Sequence, residues 1–271
     1  VSLGIFPEVR MQIYRSLDEV VEAGTIAPDS IVNADCLEAM KFIPDRSIDA
    51  IICDLPYGIT ACKWDVVIPF DLLWEQYKRI IKSNGAIALF GSQPFTSALV
   101  MSNPKWFKYE WIWDKKTPTG FLHAARAPLK SHENIIIFAF GRHNYYPQKT
   151  LKDYSGARTG FGFTKEGKLS GSLNCAYGNI VSGTGFRSDF AHPKTIQQFP
   201  TGNGWAKKNN IHPTQKPVPL IEYLLKTYSL EGELVLDNTA GSGTLAIAAI
   251  NTNRRYICIE KDPDYFEVMR N

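Results

Sequence analysis

No stretch of this 271-residue sequence is apolar over anything near the roughly 20 residues that a membrane-crossing helix needs. Nor does it open with a basic run leading into a short apolar segment, so no secretory signal and no membrane partner are expected. Cysteine is scarce. The five residues Cys36, Cys53, Cys62, Cys175 and Cys258 are odd in number and form no C-x-x-C pair, which argues against both a disulfide framework and a zinc site. Reduced thiols, no metal and a cytoplasmic location are the expectation. Internal repeats and low-complexity tracts are also missing, and 44% hydrophobic content over this length suits one large core with at most a small accessory unit.

Charge of either sign is nearly balanced, at +3 overall, but it is unevenly spread. Residues 142–210 hold ten Lys and Arg against three Asp and Glu, a local excess of +7 that leaves −4 for the rest. The same segment carries ten of the twenty glycines and ten aromatics, among them Tyr145, Tyr154, Phe186 and Trp205, with little periodicity. Basic, aromatic and loop-rich composition points to a nucleic-acid surface, with Lys207 and Lys208 as candidate phosphate contacts. Read alone, it also fits a solvated insertion kept soluble by its lysines.

Around this segment, strand-like and helix-like patterns alternate. Residues 30–34 read as a strand, 36–42 as a short helix and 48–53 as a buried strand; helical spacing over 71–82 stops at Asn84-Gly85, and 86–90 is apolar again. Further strands are expected at 109–113 and 135–140. Beyond the basic segment come a helix at 218–228, a strand at 233–236, a glycine turn, a helix at 245–250 and a strand at 255–259. Such alternation predicts an α/β protein with a doubly wound, mainly parallel sheet. Residues 1–30 carry no motif and are set apart as an N-terminal extension.

Two of these strands end in residues that carry chemistry, and open α/β sheets bind ligands at the carboxyl edge of their strands. After the strand at 233–236 comes Asp237-Asn238-Thr239-Ala240-Gly241-Ser242-Gly243-Thr244, whose glycines allow a tight turn and a close ligand approach at a helix N-terminus. Glu260, nineteen residues past Gly241, ends the next strand, where a carboxylate can accept from ribose hydroxyls. A nucleoside pocket follows. The spacing Gly241-x-Gly243-x-x-Ala246 also meets the loose dinucleotide fingerprint, so an NAD-type oxidoreductase competes, and the glycines need do no more than turn a strand into a helix.

The second strand end is Asp54-Leu55-Pro56-Tyr57. Its aspartate is an acceptor, its proline fixes a turn that aims a carbonyl outward, and its tyrosine offers a flat face. Hydrogen bonds from an aromatic amino group to Asp54 and to the Leu55 or Pro56 carbonyl would draw the nitrogen lone pair out of conjugation. Extruding a base from a duplex costs a few kcal/mol, and stacking on Tyr57 returns about 1 to 3 kcal/mol, so the ring offsets much of that cost. Standing alone, the motif also fits a strand ending in a capped proline turn.

Together with His212-Pro213-Thr214-Gln215-Lys216-Pro217, and in this order along the chain, the two motifs resemble the beta group of DNA amino-methyltransferases. Asn33-Ala34-Asp35-Cys36 resembles that group's segment for the cofactor adenine, and Trp113-x-Lys115 and His132-Glu133 match its later core motifs. The resemblance covers roughly residues 31–271 and implies a circularly permuted, Rossmann-like methyltransferase fold with a seven-stranded type of sheet. Three positions depart from the commonest pattern: Leu55 stands where proline is usual, and Asn238-Thr239 where proline and phenylalanine are.

The resemblance implies S-adenosylmethionine as cofactor, held by Asp35, Cys36, Asp54, Lys216, the run from Asp237 through Asn238, Thr239, Ala240, Gly241, Ser242 and Gly243 to Thr244, and by Glu260 and Lys261. It implies Asp54, Leu55, Pro56 and Tyr57 as the catalytic set and double-stranded DNA as substrate. Residues 31–141 and 211–271 become two halves of one core, with target recognition in 142–210. In the resembling group an aspartate at the first catalytic position accompanies adenine more often than cytosine, so N6 of adenine is expected over N4 of cytosine. Proline-cysteine, the dipeptide of ring-carbon methyltransferases, is absent, which leaves Cys53 to the core. The resemblance also admits a homodimer and a companion restriction endonuclease. Methylation of RNA or a small molecule, and a silent DNA-binding relative, remain as rivals.

Overall fold

Neighbouring side chains of a strand face opposite sides of its sheet, and strands apolar on both sides must be covered twice. The central strands here are of that kind. A computed structural model describes residues 11–59, 65–151, 162–163, 169–170, 190–201 and 215–271. Its strands in chain order are β1 (Gln12–Tyr14), β2 (Ser30–Asn33), β3 (Ile48–Cys53), β4 (Ile81–Gly91), β5 (Phe107–Thr119), β6 (Lys130–Phe138), β7 (Thr150–Leu151), β8 (Gly162–Phe163), β9 (Leu169–Ser170), β10 (Phe190–Ala191), β11 (Ile196–Gln198), β12 (Leu234–Asp237) and β13 (Arg255–Glu260). The α-helices are α1 (Leu17–Ala23), α2 (Cys36–Met40), α3 (Phe70–Ile80), α4 (Phe95–Ser102), α5 (Val218–Tyr228), α6 (Thr244–Asn251) and α7 (Pro263–Arg270).

Among the described residues, nine strands form one sheet in the order β1-β2-β13-β12-β3-β4-β6-β5-β11. All run parallel except β6, which lies antiparallel to both neighbours. Ile51 belongs to one buried cluster with Met40, Leu73, Tyr77 and Leu99, while its neighbour Ile52 belongs to the other, with Leu224, Leu245 and Phe266. Helices α1 to α4 thus cover one face and α5 to α7 the other, the doubly wound arrangement expected. The chain divides into two compact units, residues 1–146 with 194–271, and Pro147–Pro193. In the second, β7 pairs with β10 and β8 with β9, each antiparallel.

Three features differ from expectation. The residues set apart at the N-terminus supply β1 and α1, and β1 lengthens the sheet by pairing Ile13 with Ile31. Residues 196–198, inside the expected 142–210 insertion, return to the main unit as β11 beside β5. Finally β5 and β6 form a hairpin far longer than the apolar cores that betrayed them, because its outer part is polar.

Candidate active site

Consecutive strands leave the middle of the sheet in opposite directions, from β3 to β4 on one side and from β12 to β13 on the other. A crevice opens at the carboxyl ends where such a sheet reverses. Here it is a cavity of about 660 Å³, inside the range usual for small-molecule and cofactor sites. Asp54 enters it from the end of β3, Asp237 from β12, Glu260 from β13 and Asp35 from the turn after β2.

The glycine turn is organised by carboxylates. Gly241 N donates to Glu260 Oε2 at 2.7 Å and Asp262 N to Glu260 Oε1 at 2.8 Å, while Ala240 N donates to the Ile259 carbonyl at 2.9 Å. Thr239 N is held by Asp237 Oδ1 at 3.0 Å. Burial pushes the Asp237 carboxyl up to about 7 and raises that of Glu260. Gly243 is the residue of the run that does not line the cavity: it caps α6 at φ +82°, and a Cβ there would meet Met269 Cγ at 2.6 Å. Beneath the turn, Asn238 Oδ1 accepts from Tyr77 Oη at 2.6 Å and from Cys53 Sγ at 2.9 Å, while its Nδ2 is buried with no hydrogen-bond partner among the described residues.

Beside the glycine turn, each oxygen of Asp54 already has a donor. Tyr57 Oη donates to Oδ1 at 2.6 Å and Lys216 Nζ donates to Oδ2. Thr239 Oγ1 donates to the Asp54 carbonyl at 3.0 Å, tying the two strand ends together. Tyr57 stacks one face on Phe95 of α4, with ring centres 5.0 Å apart and planes at 31°. Burial, and after it the charge of Asp54, hold its phenol well above the ordinary value, so it remains a donor at neutral pH. Leu55 packs into the core, and both it and Pro56 border the cavity. The next residues are pinned by Asp65, whose two oxygens accept from Gly58 N at 2.8 Å and Ile59 N at 2.9 Å.

Lys216 is the hub of a buried charge chain. Besides Asp54 it lies 3.6 Å from Glu133 Oε2 and 5.1 Å from the centre of the Phe90 ring, and Lys115 donates to the other Glu133 oxygen. Burial alone would lower the Lys216 ammonium, but Asp54 and Glu133 outweigh it and the net shift is upward. The lysine is therefore a fixed positive charge against Asp54.

Every site residue expected from the sequence lines this cavity except Gly243 and the pair Lys207 and Lys208, which lie outside the described residues, as do residues 212–214 of the third motif. Cys36 borders it as a buried thiol raised to about 11 by burial, and Lys261 Nζ pairs with Asp35 Oδ2 at 3.1 Å. Sequence reasoning missed Phe95, Asp65 and Phe90. Phe95 and Phe90 look like ordinary core residues in the sequence, and Asp65 follows its loop partners at no recognisable spacing.

Among the described residues, carboxylates outnumber lysines around the cavity by seven to three. That balance suits a cationic ligand. It opposes a pyrophosphate, and the Gly241 amide that a pyrophosphate would need already serves Glu260.

The N6/N4 family described as DNA methylase matches residues 48–271. Type II methyltransferase M2.MboI of Moraxella bovis is 24% identical over 266 residues, covering 89% of this chain and 86% of that protein. Among solved structures, the M1.HpyAVI–SAM complex superposes with a TM-score of 0.56 at 21% identity, over 89% of this chain and 97% of that one. The PvuII DNA methyltransferase, described as cytosine-N4-specific, reaches 0.62 at 12% identity, over 96% and 88%.

Proposed function

We propose, for a chain that belongs to the N6/N4 DNA methylase family, that the cavity takes S-adenosylmethionine beside a base flipped out of DNA and that the methyl acceptor is N6 of adenine. The observation carrying this reading is one cavity that joins the Asp54 and Tyr57 wall to the glycine turn and Glu260. A cationic donor fits its carboxylates. The cofactor supplies a methyl group already activated on a sulfonium.

The chain's own residues then position the acceptor. Each Asp54 oxygen keeps a lone pair beyond the bonds from Tyr57 and Lys216, so an amino N–H can donate to it. Tyr57, backed by Phe95, presents its second face for a base to stack on. Glu260 and Asp35 are assigned to the ribose and adenine of the cofactor, and Cys36, Asp237, Ala240, Ser242, Thr244 and Lys261 to its surroundings. Residues 142–210, with Lys207 and Lys208, are assigned to the DNA backbone and to target recognition. On the name of the Moraxella relative, a restriction-modification setting belongs to the same proposal.

Cytosine N4 is the second reading, favoured by the cytosine-N4-specific enzyme among the structural neighbours. Asp54 sees the same amino group on either base. A purine offers Tyr57 the larger stacking face, which supports adenine. The test is to incubate duplex DNA with donor labelled in its methyl group, digest, and separate the nucleosides by mass. Label on N6-methyldeoxyadenosine is expected; label confined to N4-methyldeoxycytidine overturns adenine and keeps the mechanism.

A further inference from the structure

The carboxyl edge of the sheet carries a projection. Asn134 of β6 lies opposite Gly91, the last residue of β4, so Lys130 to Glu133 run beyond the edge, and Asp114 to Thr119 of β5 run out beside them. Four residues of strand reach about 13 Å. Lys130, the first residue of β6, donates back to Ser92 Oγ, and Lys130, Ser92 and Glu133 all border the cavity. At the tip a single helical turn, Phe121–His123, leaves Phe121 64% and Leu122 98% exposed.

Large apolar side chains held this far out on a turn gain nothing from the protein's own core. Most of the favourable burial of these side chains is here forgone. The surroundings say what could bury them. Residues 115–132 hold Lys115, Lys116, Arg126 and Lys130 and no acidic residue. Lys116 and Arg126 are exposed, while Lys115 is committed to Glu133. An apolar tip flanked by the exposed cations Lys116 and Arg126, on a projection whose two acidic residues are already engaged, Glu133 by Lys115 and Lys216 and Asp114 by Gln198 and the Lys116 amide, complements a polyanion that has an apolar interior, which describes stacked bases between phosphates.

We propose that Phe121 and Leu122 form a wedge that enters the DNA duplex at the step vacated by the extruded base, with Lys116 and Arg126 on the flanking phosphates. This rests on the reading of the cavity as the site for a flipped base. A wedge there fills the gap that extrusion leaves and keeps the base from swinging back. It contributes to extrusion alone and touches none of the groups around the transferred methyl.

The test uses Phe121→Ser/Leu122→Ser in the full chain, with sites first mapped by sequencing of DNA methylated by the unaltered protein. Two duplexes are compared, one fully paired and one in which the target base faces an abasic position, so that extrusion is nearly free. On the paired duplex the variant is expected to lose about tenfold in methylation rate, and on the abasic duplex to come within about threefold of the unaltered protein. Equal rates on the paired duplex overturn the wedge while leaving the methyltransferase reading intact. An equal loss on both duplexes also overturns it, because the tip would then act on something other than extrusion. An unaltered protein that methylates no duplex overturns the reading and the wedge with it.

Discussion

Lys216 reaches Asp54 across 162 positions of sequence and donates to Oδ2, while Tyr57 Oη holds Oδ1 at 2.6 Å. The carboxylate that receives the amino group under the proposed function is thereby fixed from both sides before any substrate arrives, which is how a site avoids reorganising during reaction. Glu133 and Lys115 extend the chain and keep Lys216 itself from turning away.

Lys216→Met is expected to lower kcat about 10- to 100-fold, with S-adenosylmethionine affinity within about threefold, since the ammonium orients Asp54. Lys216→Arg should keep part of the rate. A Kd raised in step with the loss of kcat would instead assign Lys216 to the cofactor.

Asp237 gives a pH dependence with a definite sign. Burial raises its carboxyl to about 7, so in the folded, ligand-free protein it is protonated below that pH and ionised above it. A carboxyl raised on folding contributes stability that is complete below about pH 4 and lost as pH climbs through about 7. A cationic donor favours the ionised form, so affinity should rise from pH 6 to 8, and calorimetry in two buffers should detect proton release below pH 7. Glu260, also raised by burial, acts with the same sign. Asp237→Asn isolates the first group and should flatten most of the dependence; an unchanged profile would place the titration elsewhere.

Gly243 tests the turn. At φ +82° an alanine costs roughly 1 to 2 kcal/mol in backbone strain, and its Cβ must also displace Met269. Gly120→Ala is the control, at φ +90° with nothing within 4 Å of the added Cβ. Both should lower Tm, the control by about 2 to 8 °C and Gly243→Ala by more. Equal losses would show that Met269 yields freely.

Much of this was legible because periodicity, turns and strand ends are local. The strand at 48–53 and the helix at 218–228 come out at their observed limits, since an unbroken apolar run and a 3.6-residue spacing each leave few alternatives. Helix α4 was missed: its eight residues mix apolar side chains with Thr96, Ser97 and Ser102 and show no strong one-sided stripe, and nothing in Phe95–Ser102 marks it as the support of Tyr57. β1 and β11 were missed because strands of three residues owe their existence to the neighbour they pair with. The motifs placed Asp54 and Asp237 in one site, yet the bond from Lys216 to Asp54 is long-range and has no signature in either motif.

Lys207 and Lys208 carry part of the basic excess of residues 142–210. Neutralising both should weaken DNA binding on every sequence and reduce the slope of log affinity against log salt by about 2, one for each phosphate that is no longer neutralised. A slope equal to that of the unaltered protein would locate the footprint elsewhere.

Labour in the cavity is divided under the proposed function, with Asp54 serving the reaction and the glycine turn with Glu260 serving the cofactor. The division is read from the rate of methyl transfer to duplex DNA alongside calorimetric S-adenosylmethionine affinity, for the unaltered protein, Asp54→Ala and Glu260→Ala. Asp54→Ala is predicted to lose about 100- to 10 000-fold in rate with affinity kept within a few-fold, and Glu260→Ala to weaken affinity. An Asp54→Ala protein that transfers methyl groups as fast as the unaltered one would contradict that division.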